Sequence, residues 1–497
     1  MGKRRVSEIL SENLALGGFG SPSDALLGTA KEFIDNAIDA YASSTIDPCL
    51  RKIKVWIEEI TNLPGGCGIF KVKVADWGTG MSRDEVTELL GHLHSTSKEG
   101  ISYGTFGIGV KIALIYAQQT AQSPLHVRTV DKKGHLTDVW MKIDLKTDRP
   151  ALCNALYSDK ANEPSGTTVS ISLKGSTKNA SVQRIVSYVE EIFVLNPMLQ
   201  IELDFKIPSL RQQSRLAPSL DSSTNFVRVF SHISHPIEDI DSLKSALGNC
   251  WRFEGLATSK HVERMADPAQ PSGPTTFTVS CAALLNCSLD YELQHSVVAP
   301  YQASYMHLHR FANGMPLLLE PDPCAITRAV LSQVKWSPYG ISMATTAHID
   351  TENRCRVKFK SESNIVRNMI LVVDVSSPHI LWANLQKTHV QQHPIYAKAI
   401  SETMKVALGE LKSRHLFMTE AEHKLMEMEE VYFPSVAGSL SRILSRSKSD
   451  IFAHGLPNMP QPEMSEGLQK MVIEERLRGI FQRLAQLAPN TDSSSTV

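Results

Sequence analysis

The chain has 497 residues, with 51 Lys and Arg against 52 Asp and Glu, a formal net charge of −1 and 42% hydrophobic residues. That length supports roughly two to four domains with a core in each, and the balanced charge excludes a global basic field, so any nucleic-acid contact must come from a local patch. No apolar run approaches the ~20 residues that span a bilayer, MGKRRVSEIL lacks the apolar core of a signal peptide, and eight cysteines without a CxxC pair point to reduced thiols in the cytosol or nucleus and no zinc site.

From the start to about residue 215 the pattern is α+β. SPSDALLGTAKEFIDNAIDAYASS reads as the first long helix, with serine and aspartate at its start. Within it KEFIDNAIDAY (31–41) places Glu32 and Asn36 four apart on one face, beside an apolar stripe of Phe33, Ala37 and Tyr41. RKIKVWIEEI and GIFKVKVAD read as an antiparallel pair; the second runs into ADWGTGM (75–81), with the carboxylate of Asp76 at the strand end and a turn at Gly78 and Gly80. Ser82 and Glu85 form a capping box that opens the next helix. In GTFGIGVKIALIYAQQT (104–120), Gly104, Gly107 and Gly109 run straight into an apolar helix, so backbone N–H groups and the helix dipole can face phosphate. The order G-x-x-G-x-G does not match the dinucleotide fingerprint, which argues against a Rossmann fold. Strands follow in LHVRTV, TDVWMKIDL and GTTVSISL, and SVQRIVSYVEEIFVLNP closes the domain as a helix ended by Asn196 and Pro197.

Residues 209–275 are rich in serine, proline and polar side chains and read as a connector with one short helix candidate, IEDIDSLKSALGN. A second α+β pattern begins with TFTVSCAAL, continues through HRFANGMPLLLE and SMATTAHIDT, and passes RCRVKFKSESNIV into helical segments. HPIYAKAISETMKVALGELKSRHLFMTEAEHKLMEMEE is the clearest helix, interrupted near Phe417. A Ser/Arg-rich hinge, SLSRILSRSKSD, and a proline cluster lead to a last helix, where Leu468, Met471, Val472, Leu477, Ile480, Phe481 and Leu484 make a stripe at helical spacing. That stripe either packs on its own domain or docks on a partner.

The three blocks at 31–41, 75–81 and 104–120 resemble the ATP site shared by DNA gyrase, Hsp90 chaperones, histidine kinases and MutL proteins, the GHKL or Bergerat superfamily. The resemblance implies Glu32 as general base toward the attacking water and Asn36 as the ligand of a Mg²⁺ that bridges the ATP phosphates. It implies Asp76 as the adenine reader. The nucleotide set is completed by Gly78, Gly80, Ser97, Lys98, Gly104, Thr105, Phe106, Gly107, Ile108, Gly109, Val110 and Lys111, with the loop from Gly104 to Gly109 forming part of a closing lid.

Further blocks narrow the resemblance to the B subunit of DNA topoisomerase VI. VSEILSENLALGGFGSPSDALLGTAKEFIDNAIDA is similar to that family's start, and HRFANGMPLL, VKWSPYGI, VYFPSVAGSLSRIL and EMSEGLQKM are similar to its downstream motifs. The implied fold is α+β: an N-terminal GHKL sandwich, then a β-α-β transducer with a long stalk helix and a C-terminal helix. The implied domains are 1–215 for ATP binding, 216–275 as a shortened connector in place of the helix-two-turns-helix insert, 276–436 as transducer, and 437–497 as hinge and partner-docking helix.

Two departures from the pattern stand out. KFKSESNIV places Asn364 where the family has a lysine that senses the γ-phosphate, and losing such a charge-assisted contact costs ~2–4 kcal/mol of transition-state stabilisation, so turnover should be weak or absent in the chain alone. Trp77 stands where the family has a small polar residue, and its ring either narrows the adenine pocket or covers it. A shortened middle with an altered sensor is most similar to the meiotic topoisomerase VI B-like subunits of plants. The resemblance then implies a regulatory and assembly role in the nucleus: a B-like homodimer closing through an ATP gate, on Spo-eleven-type A subunits that cut DNA in meiotic recombination. The alternatives are a conventional ATP-hydrolysing B subunit acting in strand passage, and a GHKL kinase or chaperone, which the shared pocket alone supports.

Overall fold

The computed structural model describes residues 6–42, 46–47, 50–91, 108–147, 149–196, 199–210, 225–230, 254–265, 275–286, 304–317, 323–349, 355–362, 366–384, 387–414, 417, 428–446 and 466–487. Their contacts divide the chain into two units, one of Met1–Ser337, Ile341–Ser361 and Val366–Leu416, the other of Pro338–Gly340, Glu362–Ile365 and Phe417–Val497. No helix of the described residues is long and apolar enough to cross a membrane.

The first unit begins with α1 (Val6–Glu12) and α2 (Pro22–Ala42). Ser21 starts α2 by accepting the Asp24 N–H on its hydroxyl at 3.1 Å. Strands β1 (Lys52–Leu63) and β2 (Cys67–Asp76) pair antiparallel as their alternation predicts. The capping box also forms at α3 (Arg83–Gly91): the Ser82 N–H donates to Glu85 at 2.7 Å, and the Glu85 N–H to Ser82 Oγ at 3.4 Å. Next come α4 (Gly109–Ala121), β3 (Leu125–Val130), β4 (Leu136–Asp144), β5 (Arg149–Ser158), β6 (Gly166–Ser176), α5 (Asn179–Leu195), β7 (Gln200–Lys206) and β8 (Asn225–Phe230). The eight strands form one sheet in the order β5-β4-β3-β6-β2-β1-β7-β8. Helices α2, α4 and α5 cover one face, where Phe33, Ile34, Val55, Phe70, Val72, Ile115, Ile185 and Val189 are buried. Each large apolar side chain so buried contributes ~1.5–3 kcal/mol.

A second sheet in the same unit runs β13-β15-β11-β16-β10-β9, from β9 (Gly255–Met265), β10 (Thr275–Leu285), β11 (Tyr305–Ala312), β13 (Ile341–Met343), β15 (Cys355–Ser361) and β16 (Met369–Ser376). The two-residue β12 (Met315–Pro316) pairs with β11, and β14 (His348–Ile349) with β15. The short α6 (Ala325–Arg328) and the stalk α7 (Pro394–Ser413) accompany this sheet, α7 packing on β9 and β10. The second unit contains α8 (Phe433–Arg446) and α9 (Glu466–Leu487), joined by a small core of Ala437 and Ile473 with Leu440 and Leu477 beside them.

Several expectations need correction. Residues 216–275 are not a plain connector, because β8 extends the first sheet and β9 the second. The turn-rich flanks of NFVRVF and the charged half of GLATSKHVERM mask their strand character. The segment after 365 is not helical at first: MILVVDVS forms β16, buried on both sides between β10 and β11. Such a short apolar run has no diagnostic period, and its β-branched Ile370, Val372, Val373 and Val375 favour a strand. The stalk helix does stop at Ser413, close to the interruption expected near Phe417. The first half of the supposed hinge SLSRILSRSKSD is helical, as the end of α8. Among the residues of α9 whose burial is described, Ile473 is buried, off the expected stripe, and Leu477 packs beside it, whereas Leu468, Met471 and Ile480 are exposed; the side chains of Phe481 and Leu484 lie outside the described ones. The helix candidate in IEDIDSLKSALGN lies outside the described residues.

The motif HRFANGMPLL builds a turn. Asn313 (φ 54) and Gly314 (φ 75) are both left-handed, the two-residue geometry that joins twisted antiparallel strands. Asn313 Oδ1 accepts the Ser377 N–H at 2.8 Å, the Gly314 N–H donates to half-buried Asp374 at 2.9 Å, and Arg310 donates to the Leu317 carbonyl at 2.8 Å. Burial holds the Asp374 carboxyl above the usual range.

Candidate nucleotide site

Glu32 and Asn36 lie one turn apart on α2, both half-buried. The carboxylate of Glu32 rests against the first residue of α4: a methyl group built on Gly109 would stand 1.8 Å from Oε2 and 2.0 Å from Cδ. Among the described residues this carboxylate takes no hydrogen bond or ion pair. The residue capping α4 is Ile108, which offers no side-chain acceptor to the first N–H groups of the helix. A carboxylate and an uncapped, electropositive helix end therefore meet at one point, as a base and a phosphate-binding turn must.

Phe19 packs on Tyr116 at 5.5 Å between ring centroids, and a methyl on Gly17 would meet Ile112 at 2.5 Å. Since Gly109, Ile112 and Tyr116 share one helical face and a methyl on Gly28 of α2 would meet Phe19 at 3.4 Å, residues 17–19 pack on the side of α4 that faces α2. Val110 and Lys111 are buried in the first turn of α4, and burial pushes the Lys111 ammonium down to about 8.

The adenine-reading candidate, Asp76, is 8% exposed and accepts the Gly78 N–H at 2.8 Å. Burial raises its pKa to about 7, against the opposing pull of backbone N–H bonds from Gly78 and Thr167. The turn after it admits no side chains at two places. Gly78 packs so closely on α2 that a methyl would be 2.8 Å from Ala40 Cβ, and Gly80 (φ +64) would drive one to 1.8 Å from the Val130 carbonyl oxygen. Strand alternation turns Trp77 away from buried Asp76; the ring is 36% exposed with Lys52 Nζ 5.9 Å from its centre.

Sequence reasoning assigned Tyr41 to the apolar stripe and missed its hydroxyl. That hydroxyl donates to the Lys52 carbonyl and accepts the N–H groups of Lys52 at 3.1 Å and Trp77 at 2.9 Å, tying α2, β1 and the turn together. The opposite side of α2 is also anchored. Lys31 pairs with Asp35 at 2.6 Å, Tyr188 donates to Asp35, and Lys31 Nζ lies 3.2 Å from Met315 Sδ on β12. His309 of β11 meets Glu191 of α5 at 2.8 Å, so the two sheets of the first unit are joined by buried polar contacts as well.

The structure therefore sets Glu32 against Gly109 at the start of the helix that carries Val110 and Lys111, with Asn36 one turn further along α2, and packs the turn of Asp76, Gly78 and Gly80 on α2 at Ala40. Ser97, Lys98, Gly104, Thr105, Phe106, Gly107 and Asn364 lie outside the described residues.

Comparison with known proteins agrees with this geometry at the level of family. Residues 26–156 match the family model described as histidine kinase-, DNA gyrase B-, and HSP90-like ATPase, and residues 293–427 match topoisomerase VI B subunit, transducer. The B subunit of type 2 DNA topoisomerase 6 from Saccharolobus shibatae is 31% identical over 534 residues, covering 94% of each chain, and that from Saccharolobus islandicus is 29% identical over 533 residues with the same coverage. Among solved structures, the B subunit of DNA gyrase from Myxococcus xanthus aligns with a TM-score of 0.40 and 12% identity over 82% of this chain and 95% of its own. The fold is accordingly an α+β GHKL-type ATPase domain followed by a transducer domain, and the chain belongs to the family of topoisomerase VI B subunits.

Proposed function

We propose that this chain is a nucleotide-clamping B-type subunit whose closure on Mg-ATP supports DNA cleavage by a separate A-type partner. The observation that carries the reading is the Glu32 carboxylate set against Gly109 at the start of α4, where no side chain caps the helix. These residues suit Mg-ATP: Gly109 lets Glu32 approach the start of α4, Asp76 offers a buried acceptor for an adenine amino group, and Asn36 would hold the ion one turn from Glu32. The bound ion would supply charge neutralisation between phosphates; Glu32 would orient and deprotonate water.

Within this reading Asn364 slows turnover, the two ATPase domains of a homodimer form the gate, and the complex works in the nucleus with Spo-eleven-type transesterases in meiotic recombination. The domains run 1–215, 216–275, 276–436 and 437–497 in function, with the strands at 225–230 and 255–265 completing the flanking sheets. A shortened middle fits an alignment that spans 534 positions against 94% of a 497-residue chain, which leaves residues of the relative without a counterpart here.

Calorimetry with and without Mg²⁺, run beside a turnover assay, tests the proposal: nucleotide should bind and be hydrolysed slowly. Brisk steady-state hydrolysis abolished by Glu32→Ala would favour a conventional ATP-hydrolysing role, a reading that the full-length similarity to type 2 DNA topoisomerase 6 B subunits supports. Supercoil relaxation with an A-type partner separates the two, since an assembly factor gives none. For the C-terminal helix, exposed Leu468, Met471 and Ile480 favour partner docking; a chain ended before Met464 should lose capture of the A-type partner.

A further inference from the structure

The uncovered face of the first sheet carries a row that the site does not use. Cross-strand registers align Trp140, His126, Ser170, Lys73, Trp56 and Asp204 on β4, β3, β6, β2, β1 and β7. Period-two alternation puts Lys71 on the same face as Lys73, Lys174 on the same face as Ser170, and Lys142 on the same face as Trp140. The two central strands, β2 and β6, present Lys71, Lys73 and Lys174 with Thr168, Ser170 and Ser172, and no acidic residue, on this side.

Charge on this face is unequally compensated. Lys54 and Lys52 share Glu202 at 2.5 and 3.7 Å, and Arg128 is held by Asp138 and Glu163. Among the described residues, Lys71, Lys73, Lys142 and Lys174 have no carboxylate within 4.0 Å; exposed Glu58 of β1 stands opposite Lys71 in the cross-strand register without forming an ion pair. Partial burial and the charges of Lys71 and Lys54 hold the Lys73 ammonium below its usual range. Lys73 and Lys54 nonetheless stand in fixed positions, because Trp56 carries the Lys73 Nζ 4.4 Å and the Lys54 Nζ 5.1 Å from its ring centre. With Lys71, Lys73 and Lys174 on β2 and β6 and Glu58 the acid facing them from β1, the centre of this face keeps an excess of cations on a chain of net charge −1, which suits a polyanion.

We infer that this sheet face is a contact surface for the phosphate backbone of duplex DNA, centred on Lys71 and Lys73. The inference rests on the proposed role in a DNA-cleaving complex, and adds where this chain itself would touch DNA. Duplex fits better than single strand because the aromatic faces are already occupied. Trp56 is covered by lysines and Trp140 by His126, stacked at 4.1 Å and 9°, whereas single-strand binding needs free rings on which bases stack.

The test measures anisotropy of a labelled DNA duplex with the full chain across a salt series. Lys71→Glu/Lys73→Glu should weaken binding by about tenfold or more and lower the slope of log affinity against log salt by about 2, one step for each lost phosphate contact. Lys71→Gln/Lys73→Gln should give the same fall in slope with a smaller loss, and carries the test if the reversed pair fails to fold. No binding by the wild type at low salt, an unchanged slope in both variants, or tighter binding of single strand with tryptophan quenching would each overturn the inference. So would loss of capture of the A-type partner with duplex binding intact, which would make the face a protein interface. Mg-ATP calorimetry on the same samples reports separately on the nucleotide clamp, so failure of one reading is distinguishable from failure of the other.

Discussion

Replacing Gly109 by alanine isolates the contact on which the nucleotide site depends. The new methyl would lie 1.8 Å from Glu32 Oε2, and ordinary contact begins at 3.4 Å, so the carboxylate must retreat by about 1.6 Å. The atoms that yield are the end of a flexible side chain, and alanine in the first turn of a helix gains up to ~1 kcal/mol over glycine, so the fold should be unchanged or slightly more stable. Chemistry should suffer: a misplacement near 1 Å costs on the order of 10²-fold in rate, or about 2.7 kcal/mol. Single-turnover hydrolysis of labelled ATP, sensitive enough for a slow enzyme, is the assay, with a melting curve on the same protein. The variant belongs in a double-mutant cycle with Glu32→Ala, because a methyl that acts by moving Glu32 costs little further once that carboxylate is gone. Equal losses in both backgrounds would mean that the methyl obstructs the phosphates instead, and an unchanged rate would remove Glu32 from the mechanism.

Three further outcomes follow from the same region. Asp76, with its pKa near 7, keeps a proton that an unfolded carboxyl loses near pH 4. Its contribution therefore makes the nucleotide-free fold less stable as pH rises through that window. If ionised Asp76 accepts the adenine amino group, ATP affinity should rise from pH 6 to 8, by up to about tenfold per unit below 7, and Asp76→Asn should flatten the profile in calorimetry; a flat wild-type profile refutes the assignment. Gly80→Ala forces a left-handed alanine against the Val130 carbonyl, a backbone group that cannot rotate away, and should cost more than ~2 kcal/mol in a denaturant melt. Tyr41→Phe strands the Trp77 and Lys52 N–H groups it now serves and should cost ~1–3 kcal/mol, with a weaker nucleotide affinity because the Asp76 turn loses its tie to α2.

What the sequence revealed divides along physical lines. Local rules sufficed where the interacting groups are near in the chain: the Ser82–Glu85 box, the β1–β2 pair and the Glu32–Asn36 face all follow from spacing over a few residues. They failed where partners are distant. Nothing local distinguishes the Tyr41 hydroxyl from a core phenol, because its partners at 52 and 77 arrive only when β1 and the turn after β2 close on α2. Likewise β16 carries no period of its own and becomes legible as a strand through burial between β10 and β11.

The glycines of the site also separate what the fold requires from what chemistry requires. A side chain at Gly80 meets the carbonyl of Val130, and one at Gly166 meets the carbonyl of Asp76 at 2.3 Å; both are excluded by main chain, in any state of the pocket, and so carry no information about nucleotide. At Gly109 the obstruction is the end of Glu32. The fold could admit alanine there by letting that carboxylate swing aside, so the close approach serves the placement of Glu32 against the helix start and not the stability of the sheet. The same division applies to HRFANGMPLL, whose Asn313, Gly314 and Arg310 are spent on a turn. Resemblance through the second sheet is thus resemblance of architecture, and the case for a working nucleotide clamp rests on the first hundred and eleven residues, with Gly109 as the position where the demands of fold and chemistry part.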